Sequence, residues 1–294
     1  MLDLGNKVVC IDNFDLNYSR EVKNRNLELA LANVNFELIE GNINHPEDLK
    51  KCFRGEKPDT VIHLAAKSGI RPSLGSPEEY YTTNVFGTLN VLEAMRNFDV
   101  KRLIFASSSS VYGNNKKVPF VETDNVDAPI SPYAATKKAS ELLCHTYHHL
   151  YDFDIFCLRF FTVYGPRQRP DLAIHKFTEH ILNDKPIEMF GDGSTARDYT
   201  YISDIIKGIV SSVDKLKGYE IINLGESNVI SLKHLISSLE KHLNKTAIIK
   251  KQPMQPGDVV NTYANIDKAN KILGYNPTWK FEEGIKEFIK WKLS

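Results

Sequence analysis

The sequence lacks the features that would indicate a membrane or a polyanionic partner. No apolar run approaches the roughly 20 residues that span a bilayer, and the opening MLDLG has neither the basic nor the apolar region of a signal peptide. Lysine plus arginine equals aspartate plus glutamate, at 37 each, which argues against nucleic acid as the main partner. We therefore expect a cytoplasmic protein with neither a membrane nor a nucleic-acid partner.

Cysteine is also scarce, and its spacing excludes the common cysteine frameworks. The chain contains four cysteines and no CxxC pair. They are Cys10, Cys52, Cys144 and Cys157, and two of them lie in apolar, strand-like runs. This pattern indicates buried free thiols in a reducing compartment rather than a disulfide scaffold.

What the first half does contain is an alternation of short β-branched runs and helical patterns. The predicted strands cover 7–11, 35–43, 60–66, 102–110 and 154–160. The predicted helices cover 25–32, 45–53, 84–98 and 131–151, the last with Ser131 as its N-cap and Pro132 in its first turn. This alternation predicts an α/β fold with a doubly wound parallel sheet. Ligands of such sheets bind at the carboxyl ends of the strands.

After Gly165 the sequence changes to longer loops rich in Gly, Pro, Asp and Arg, interleaved with helices. We interpret 1–165 as a Rossmann-like domain and 166–294 as a smaller C-terminal domain that covers a substrate, some segments of which could return to the first domain.

A glycine-rich turn is missing where the pattern calls for one. Asp12 follows the apolar run KVVCI, as does the acid that holds the adenine ribose at the end of a second nucleotide-binding strand. Only MLDLG and Asn6 precede that run, with no first strand, glycine turn or helix. The one GxG, in GDGSTA (191–196), has no strand-turn-helix pattern around it and does not predict a phosphate loop.

The sharpest chemical signal is the pair Tyr133 and Lys137 in YAATK. Residues four apart share a helix face, and an ammonium beside a phenol favours the phenolate, which can then act as a general base. An isolated YxxxK is more often a surface pair. The upstream strand end ASSSSVYG changes those odds, because hydroxyls at the carboxyl end of a parallel strand can orient a substrate oxygen.

Ordered blocks along nearly the whole chain resemble the extended short-chain dehydrogenase/reductase family, and within it the NAD-dependent nucleotide-sugar epimerases. The blocks are VVCIDN, HLAAKSGIRPS, NVFGTLNVLEA, FASSSSVYG, SPYAATKKASE, LRFFTVYGPRQRPDLA, GDGSTARDYTYISD and QPGDV. The resemblance implies that Ser108, Tyr133 and Lys137 form the catalytic triad. Family members begin with a strand, a GxxGxxG turn and a helix, and the present sequence matches from inside that helix, so the resemblance implies that roughly twenty residues with the pyrophosphate-binding glycines are absent. Without them, NAD binding would be weakened.

The resemblance also implies a cofactor site for NAD and a site for a UDP-sugar. The residues implied to bind NAD are Asp12, Asn13, Asn42, Ile43, Leu64, Ala65, Ala66, Asn84, Tyr133 and Lys137. The residues implied to bind the sugar nucleotide are Ser108, Thr162, Arg169, Lys176, Arg197, Gln255 and Asp258. For each arginine the alternative is a solvated loop charge.

The residues before Tyr112 bear on the reaction type. The 4,6-dehydratases of this family carry an Asp–Glu pair there, and the glucuronate decarboxylase carries a Glu two positions before the tyrosine. Here those positions are Ser109 and Ser110, which leaves 4-epimerisation as the simplest chemistry. The blocks RPDLA and MQPGDV look most like UDP-glucuronate 4-epimerases, so the resemblance implies conversion of UDP-glucuronate to UDP-galacturonate. UDP-glucose or UDP-N-acetylglucosamine, or a catalytically impaired relative, stay open as alternatives.

Two further patterns concern partners. His145, His148 and His149 place two histidines four apart, which can chelate zinc, but we interpret them as surface or interface residues because a two-ligand pattern is weak. The resemblance implies a homodimer through the helices at 84–98 and 132–151.

Overall fold

The chain forms an α/β fold with parallel strand pairs, as the alternation of strand and helix patterns predicts. A computed structural model describes residues 1–54, 57–254 and 261–294. The chain divides into two compact units. The first contains Met1–Ser107, Ser131–Cys157 and Leu216–Glu220, and the second contains Ser108–Ile130, Leu158–Lys215 and Ile221–Ser294. The predicted domain boundary at residue 165 stays a prediction.

The first unit begins with a short 3₁₀ turn, Leu2–Leu4, and a parallel strand pair. Strands β1 (Val8–Asp12) and β2 (Phe36–Glu40) are joined by helix α1 (Arg20–Leu31). Ser19 caps α1 by accepting a hydrogen bond from the amide of residue 22 at 3.4 Å, which satisfies a donor that the helix itself leaves open. Helix α2 (Pro46–Phe53) follows β2.

A four-stranded sheet has the order β3-β4-β5-β9. Its strands are β3 (Val61–His63), β4 (Arg102–Ser108), β5 (Asp154–Phe160) and β9 (Tyr219–Leu224). Strands β3 and β4 pair in parallel. Residues 103–106 of β4 are all buried, as expected for a parallel strand covered on both faces.

Helices connect these strands. They are α3 (Ile70–Gly75), α4 (Pro77–Tyr80), a π-helical segment (Tyr81–Phe86), α5 (Gly87–Asn97) and α6 (Pro132–Tyr151). Helices α5 and α6 pack against each other. The buried faces of both helices carry apolar side chains such as Leu92, Met95 and Cys144, at the spacing that places them on one side of a helix.

The second unit contains a 3₁₀ turn (Ser109–Tyr112), short strands and five helices among its described residues. The strands are β6 (Thr162–Tyr164), β7 (Ile187–Phe190), β8 (Ala196–Tyr201), β10 (Val229–Ser231) and β11 (Ile249–Gln252). The helices are α7 (Ala173–Leu182), α8 (Ile202–Lys215), α9 (Leu232–Leu243), α10 (Asp267–Leu273) and α11 (Phe281–Leu293). Strand β8 pairs in parallel with β6 and antiparallel with β10, and β7 pairs in parallel with β11.

The core of the second unit is built from apolar side chains of α7, α9 and α11 packed on β6, β7 and β8. Tyr164 lies within it, fully buried, and its hydroxyl donates to the carbonyl of Phe281 at 3.1 Å. A smaller cluster forms around Tyr112 and Phe120, whose rings stack with centroids 4.7 Å apart.

Several element bounds differ from those predicted. Helix α1 begins at Arg20, where Ser19 caps it, rather than at 25. Strand β3 ends at His63, so the apolar residues 64–66 belong to a loop. The predicted strand at 102–110 ends at Ser108, because the Ser108 hydroxyl accepts the amide hydrogen of Ser110 and starts a 3₁₀ turn. The segment 84–86, predicted within an α-helix, is π-helical.

The GDGSTA segment (191–196) follows β7 and leads directly into β8. No helix starts there, so the structure agrees with the prediction that this GxG is not a phosphate loop.

Candidate active site

Helix α6 positions the predicted base pair. Ser131 has extended backbone angles, and its hydroxyl accepts the amide hydrogen of Ala134 at 3.2 Å. Pro132 occupies the first turn, where it needs no amide donor. Tyr133 therefore lies in the first turn of the helix, and Lys137 follows one turn later on the same face. The predicted cap and helix start are confirmed.

Lys137 is buried, and its ammonium is bound to the end of β4. Its Nζ donates to the carbonyl oxygen of Ala106 at 2.6 Å and lies 5.1 Å from the ring centroid of Phe105. Burial lowers the pKa of Lys137 to about 8, while nearby Cys144, Glu141 and Cys157 oppose that shift. The ammonium is thus fixed by backbone and aromatic contacts one helical turn from Tyr133.

Tyr133 is half-buried beside another aromatic residue. Its ring meets the ring of Tyr80 edge-on, with centroids 6.2 Å apart. The Tyr80 hydroxyl donates to the carbonyl of Ser68 at 2.8 Å, so Tyr80 ties the loop after β3 to this part of the unit. Edge-on packing is one of the arrangements that aromatic pairs prefer, and here it places the Tyr80 ring against the ring of Tyr133.

Ser108 belongs to the second unit. It is the last residue of β4, and its Oγ accepts hydrogen bonds from the amide and the hydroxyl of Ser110, at 3.2 and 2.9 Å. Ser110 is buried. The turn at residues 108–110 therefore contains two hydroxyl groups that are hydrogen-bonded to each other, and it contains no carboxylate.

The loop after β1 surrounds a cavity of about 570 Å³ lined by residues 13–17, Arg20 and Lys67. Asp12 ends β1 in an exposed position, and its Oδ1 accepts the amide hydrogen of Phe14 at 2.7 Å. Asn13 likewise accepts the amide hydrogen of residue 15 at 3.1 Å. A cavity of this size suits a small ligand, and the acid that the sequence predicts for the adenine ribose lies next to its wall.

The other predicted cofactor residues also follow parallel strands. Asn42 and Ile43 come directly after β2, and Ile43 is buried while Asn42 accepts the amide hydrogen of residue 44 at 2.9 Å. Leu64 follows β3 and is exposed, as is the residue after it, and residue 66 is half-buried. Asn84 is buried in the π-helical segment. Apart from Asn84, these residues lie just after the carboxyl ends of β2 and β3, as Asp12 and Asn13 lie at that of β1, where α/β sheets bind ligands.

The predicted sugar-nucleotide residues in the second unit lie on separate elements. Thr162 begins β6 and lies opposite residue 199 of β8, two positions from Arg197. Arg197 Nη1 donates to the carbonyl of residue 196 at 3.0 Å. Arg169 forms a two-pronged ion pair with Asp171, at 3.1 and 2.9 Å. Lys176 is exposed on α7. The predicted residues Gln255 and Asp258 lie outside the described residues.

The profile of a family described as GDP-mannose 4,6-dehydratase matches residues 1–288 of the chain. The chain belongs to this family. A UDP-glucuronate 4-epimerase of Thermodesulfobacterium geofontis is 44% identical over 292 residues, which cover 99% of this chain and 90% of the relative. UDP-glucuronate 4-epimerase 1 of Arabidopsis thaliana is 42% identical over 308 residues, which cover 99% of this chain and 72% of the relative.

Among solved structures, the UDP-glucuronic acid 4-epimerase of Bacillus cereus, in complex with UDP-glucuronic acid and NAD, matches with a TM-score of 0.93 and 37% identity. The match covers 100% of this chain and 93% of that one. A UDP-glucose 4-epimerase of Thermus thermophilus, in complex with NAD, matches with a TM-score of 0.89 and 27% identity. The predicted resemblance to NAD-dependent nucleotide-sugar epimerases is confirmed.

The sequence patterns above do not predict two acidic residues that the structure buries, Glu141 and Asp198. Glu141 lies one turn after Lys137 in YAATKKASE. The spacing of four residues places it on the same helix face as the lysine, which is the one local indication that the two belong together. In the second unit Asp198 is fully buried and accepts the amide hydrogens of Glu226, Ser227 and Ala264 at 2.7 to 3.1 Å. The partners of Asp198 come from distant segments, which no local pattern could reveal.

Lys67 was also missed, although it lies in the block HLAAKSG. Its ammonium pairs with Asp15 at 2.9 Å and with Glu79 at 3.1 Å. The hydrogen bond to Asp15 raises the pKa of Lys67. The ion pair therefore ties the loop that lines the cavity to helix α4.

No group of side chains that could hold a metal ion occurs within residues 1–54, 57–254 and 261–294. Across the same residues, no helix has the length and apolar character needed to cross a membrane. His148 contacts the carbonyl of Phe153 through Nδ1 at 2.7 Å, while His145 and His149 are exposed.

Proposed function

We propose that the chain catalyses the NAD-dependent 4-epimerisation of a UDP-sugar, with UDP-glucuronate and UDP-galacturonate as the substrate pair. The observation that carries this proposal is the buried Lys137 ammonium, held 2.6 Å from the Ala106 carbonyl and one helical turn from Tyr133. The relatives named UDP-glucuronate 4-epimerase support the choice of substrate. Bound NAD in the similar Bacillus cereus structure supports the choice of cofactor.

The residues present fit NAD. The cavity after β1 has an exposed acid, Asp12, at its edge and the amide side chain of Asn13 in its wall. We assign the adenine ribose to Asp12 and Asn13, the adenine to Asn42 and Ile43, and the strand-end lining to residues 64–66 and Asn84. Bound NAD would supply a hydride acceptor for C4 of the sugar and return the hydride to the opposite face.

This chain's own residues supply the proton chemistry. Tyr133, as the phenolate, removes the proton of the sugar 4-hydroxyl when the C4 hydride leaves, and returns the proton when the hydride comes back. Lys137 holds the phenolate form by its charge and binds the nicotinamide ribose. Ser108 donates a hydrogen bond to the C4 oxygen and orients it, because Ser110 donates to Ser108 and leaves the Ser108 proton for the substrate.

The sugar nucleotide is assigned to residues of the second unit. Arg197 and Lys176 would bind the diphosphate, because guanidinium and ammonium groups suit phosphate oxygens. Thr162 would bond to the sugar carboxylate. Arg169 would contact the acidic sugar if its pair with Asp171 opens. Gln255 and Asp258 are assigned to the uridine on the family resemblance alone.

A homodimer through 84–98 and 132–151 is part of the proposal. Helices α5 and α6 pack together; α6 exposes Leu142 and Leu150, and the π-helical segment before α5 exposes Phe86, with exposed fractions of 57%, 58% and 59%. Exposed large apolar side chains of this kind are the ones that a dimer interface would cover. Light scattering of the protein and of a Leu142→Lys variant tests it: the parent should have a dimer mass and the variant a monomer mass.

The experiment that tests the reaction is proton NMR of one sample with protein, NAD, UDP-glucuronate and UDP-glucose. New anomeric signals of UDP-galacturonate alone would support the proposal. UDP-galactose signals would transfer the assignment to a neutral-sugar epimerase, and no product from either sugar would contradict epimerase activity. A Tyr133→Phe variant serves as the control, because removal of the base should cost 10²-fold or more, on the order of general acid–base contributions.

A further inference from the structure

Glu141 is a buried acid on α6, the helix that carries Tyr133 and Lys137. Only 1% of its surface is exposed. Its Oε1 accepts a hydrogen bond from the Ser107 hydroxyl at 2.6 Å. An acid removed from water to this extent is costly unless it is paired and hydrogen-bonded.

The partners of Glu141 and Lys137 are adjacent on β4. Lys137 donates to the carbonyl of Ala106, and Glu141 accepts from Ser107, the next residue. Two successive turns of α6 are thus bonded to two successive residues of β4. The hydroxyl of Tyr219, on β9, donates to the backbone carbonyl of Glu141 at 3.1 Å, which bonds the same turn of α6 to a second strand.

The groups that face Lys137 from the surrounding elements are otherwise neutral or aromatic. On β3, burial and, to a smaller extent, the charge of Lys137 lower the pKa of His63 to about 3, so this imidazole is neutral. On β5, burial raises the pKa of the Cys157 thiol well above its ordinary value. On β4 the neighbour is the Phe105 ring, and on α6 the neighbours are the Cys144 side chain and Glu141.

We propose that Glu141 is a positioning residue for the epimerisation: its charge keeps the buried Lys137 ammonium protonated, and its bond to Ser107 holds the β4 carbonyl that receives that ammonium. The inference rests on the proposed function, because Lys137 acts there by supporting the Tyr133 phenolate. Without the carboxylate, Lys137 loses one of the three groups that oppose the effect of burial, and burial favours the neutral form of a lysine.

The test is a direct titration of Lys137 in the full-length protein by ¹³C NMR. Lysine labelled at Cε reports protonation, and Lys137→Arg identifies the Lys137 signal by its disappearance. The variants are Glu141→Gln, which removes the charge at nearly constant shape, and Glu141→Asp, which keeps it. Glu47→Gln is the matched control, because it removes one exposed acid of the same unit that pairs with Lys50 instead.

We expect Glu141→Gln to lower the Lys137 pKa by about one unit, the order of magnitude expected when a neighbouring opposite charge is removed. Glu141→Asp should recover most of that shift, and Glu47→Gln should leave the titration unchanged. Equal Lys137 titrations in the parent and Glu141→Gln would overturn the inference, as would an equal shift in Glu47→Gln. If Glu141→Gln does not fold, the parent decides: a Lys137 pKa of about 8 or higher supports the inference, and a value near 6 overturns it.

The kinetic counterpart is the alkaline limb of kcat/KM against pH. In Glu141→Gln this limb should move to lower pH by the same amount as the Lys137 titration, a displacement that loss of packing alone would not produce. Coupling of Lys137 to Glu141 in a protein without epimerase activity would refute only the proposed function. Epimerase activity with an uncoupled Lys137 would refute only the role of Glu141.

Discussion

The side-chain amide of Asn84 pairs with both backbone groups of Lys67. The Lys67 amide donates to Asn84 Oδ1 at 2.8 Å, and Asn84 Nδ2 donates to the Lys67 carbonyl at 2.9 Å and to Thr136 Oγ1 at 3.0 Å. One buried side chain therefore fastens the loop after β3 to helix α6, next to the turn that carries Tyr133. The π-helical turn around Asn84 gives the amide this position, and such turns are frequent at functional sites.

An Asn84→Ala variant should be strongly destabilised. The substitution leaves the Lys67 amide and carbonyl without their protein partner, and each orphaned buried group costs about 1–3 kcal/mol. We expect the free energy of unfolding to fall by about 2–4 kcal/mol in urea. Asn183→Ala, at an exposed site on the second unit, should change it by less than about 0.5 kcal/mol. A loss below about 1 kcal/mol for Asn84→Ala would contradict the anchoring role.

The residue at position 110 should determine how much CO₂ is released per epimerisation. Oxidation of a glucuronate at C4 gives a β-keto acid, which tends to decarboxylate, and a protonated acid near the substrate would assist that loss. Ser110 donates to Ser108 at 2.9 Å, so residue 110 lies directly beside the hydroxyl assigned to the C4 oxygen.

We expect Ser110→Glu to release more CO₂ per epimerisation than the parent, measured as UDP-pentose by NMR. Ser110→Gln has nearly the same size without the acid, and it should release no more than the parent. Equal CO₂ release by the Glu and Gln variants would show that a carboxyl group at this position does not promote decarboxylation.

Local signals in the sequence predict the elements that local interactions determine. The start of α6 follows from Ser131 and Pro132, and the structure confirms it. The strand predicted at 60–66 is too long, because the apolar side chains of 64–66 line a strand end and do not continue the sheet. Apolar character alone does not distinguish these two uses.

Interactions between distant residues determine the rest. The π-helical segment 81–86 follows the α-helical apolar pattern, yet Asn84 bonds to a residue 17 positions earlier. Glu141 meets Ser107 across 34 positions. In the sequence Lys67 looks like an ordinary loop charge, and only the fold brings its ion-pair partners Asp15 and Glu79 close to it. The sequence therefore predicts which residue types lie at the strand ends, and the fold decides which of them pair.

Gly284 on α11 should not tolerate a side chain. A Cβ at this position would lie 2.2 Å from the Tyr164 hydroxyl, and Tyr164 is almost fully buried and bonded to the carbonyl of Phe281. Overpacking of this kind costs about 1–3 kcal/mol, so we expect Gly284→Ala to unfold at correspondingly lower urea. Gly75→Ala is the matched control, because a Cβ there meets nothing within 4 Å, and its stability should be unchanged or slightly higher.

Removing the hydroxyl should relieve part of the clash. A Tyr164→Phe substitution added to Gly284→Ala should cost less stability than the sum of the two single changes, because the nearest atom is gone. Additive losses in this double-mutant cycle would mean that Gly284 is constrained by something other than Tyr164.

Glu226 should make the folded protein less stable as the pH rises. An acid that forms an ion pair, whose pKa is lowered by folding, has the opposite effect. Its backbone amide donates to Asp198 at 2.7 Å, and its Oε2 is buried with no hydrogen-bond partner among the described residues. Burial, together with the nearby charges of Asp204 and Asp198, raises the pKa of Glu226 from 4.5 to about 8. Burial likewise raises the pKa of Asp198 from 3.8 to about 6.

The sign follows from proton binding. Between pH 4.5 and about 8 the folded protein holds a proton on Glu226 that the unfolded chain has released. Its contribution to stability is therefore complete below pH 4.5 and is lost as the pH rises through about 8. Glutamine at this position does not titrate. The stability difference between Glu226→Gln and the parent should thus increase from pH 5 to pH 8.5, by about 1–2 kcal/mol once partial solvent screening is included.

Urea unfolding of both proteins at the two pH values measures this difference, and the titration of Asp198 is common to both and largely cancels. Glu283→Gln, an exposed acid on α11, is the control, and its difference from the parent should be the same at both pH values. If Glu226→Gln behaves like Glu283→Gln, Glu226 is ionised in the folded protein at neutral pH. Its unpaired oxygen must then be solvated, and the acidic cluster around Asp198 must tolerate the added charge.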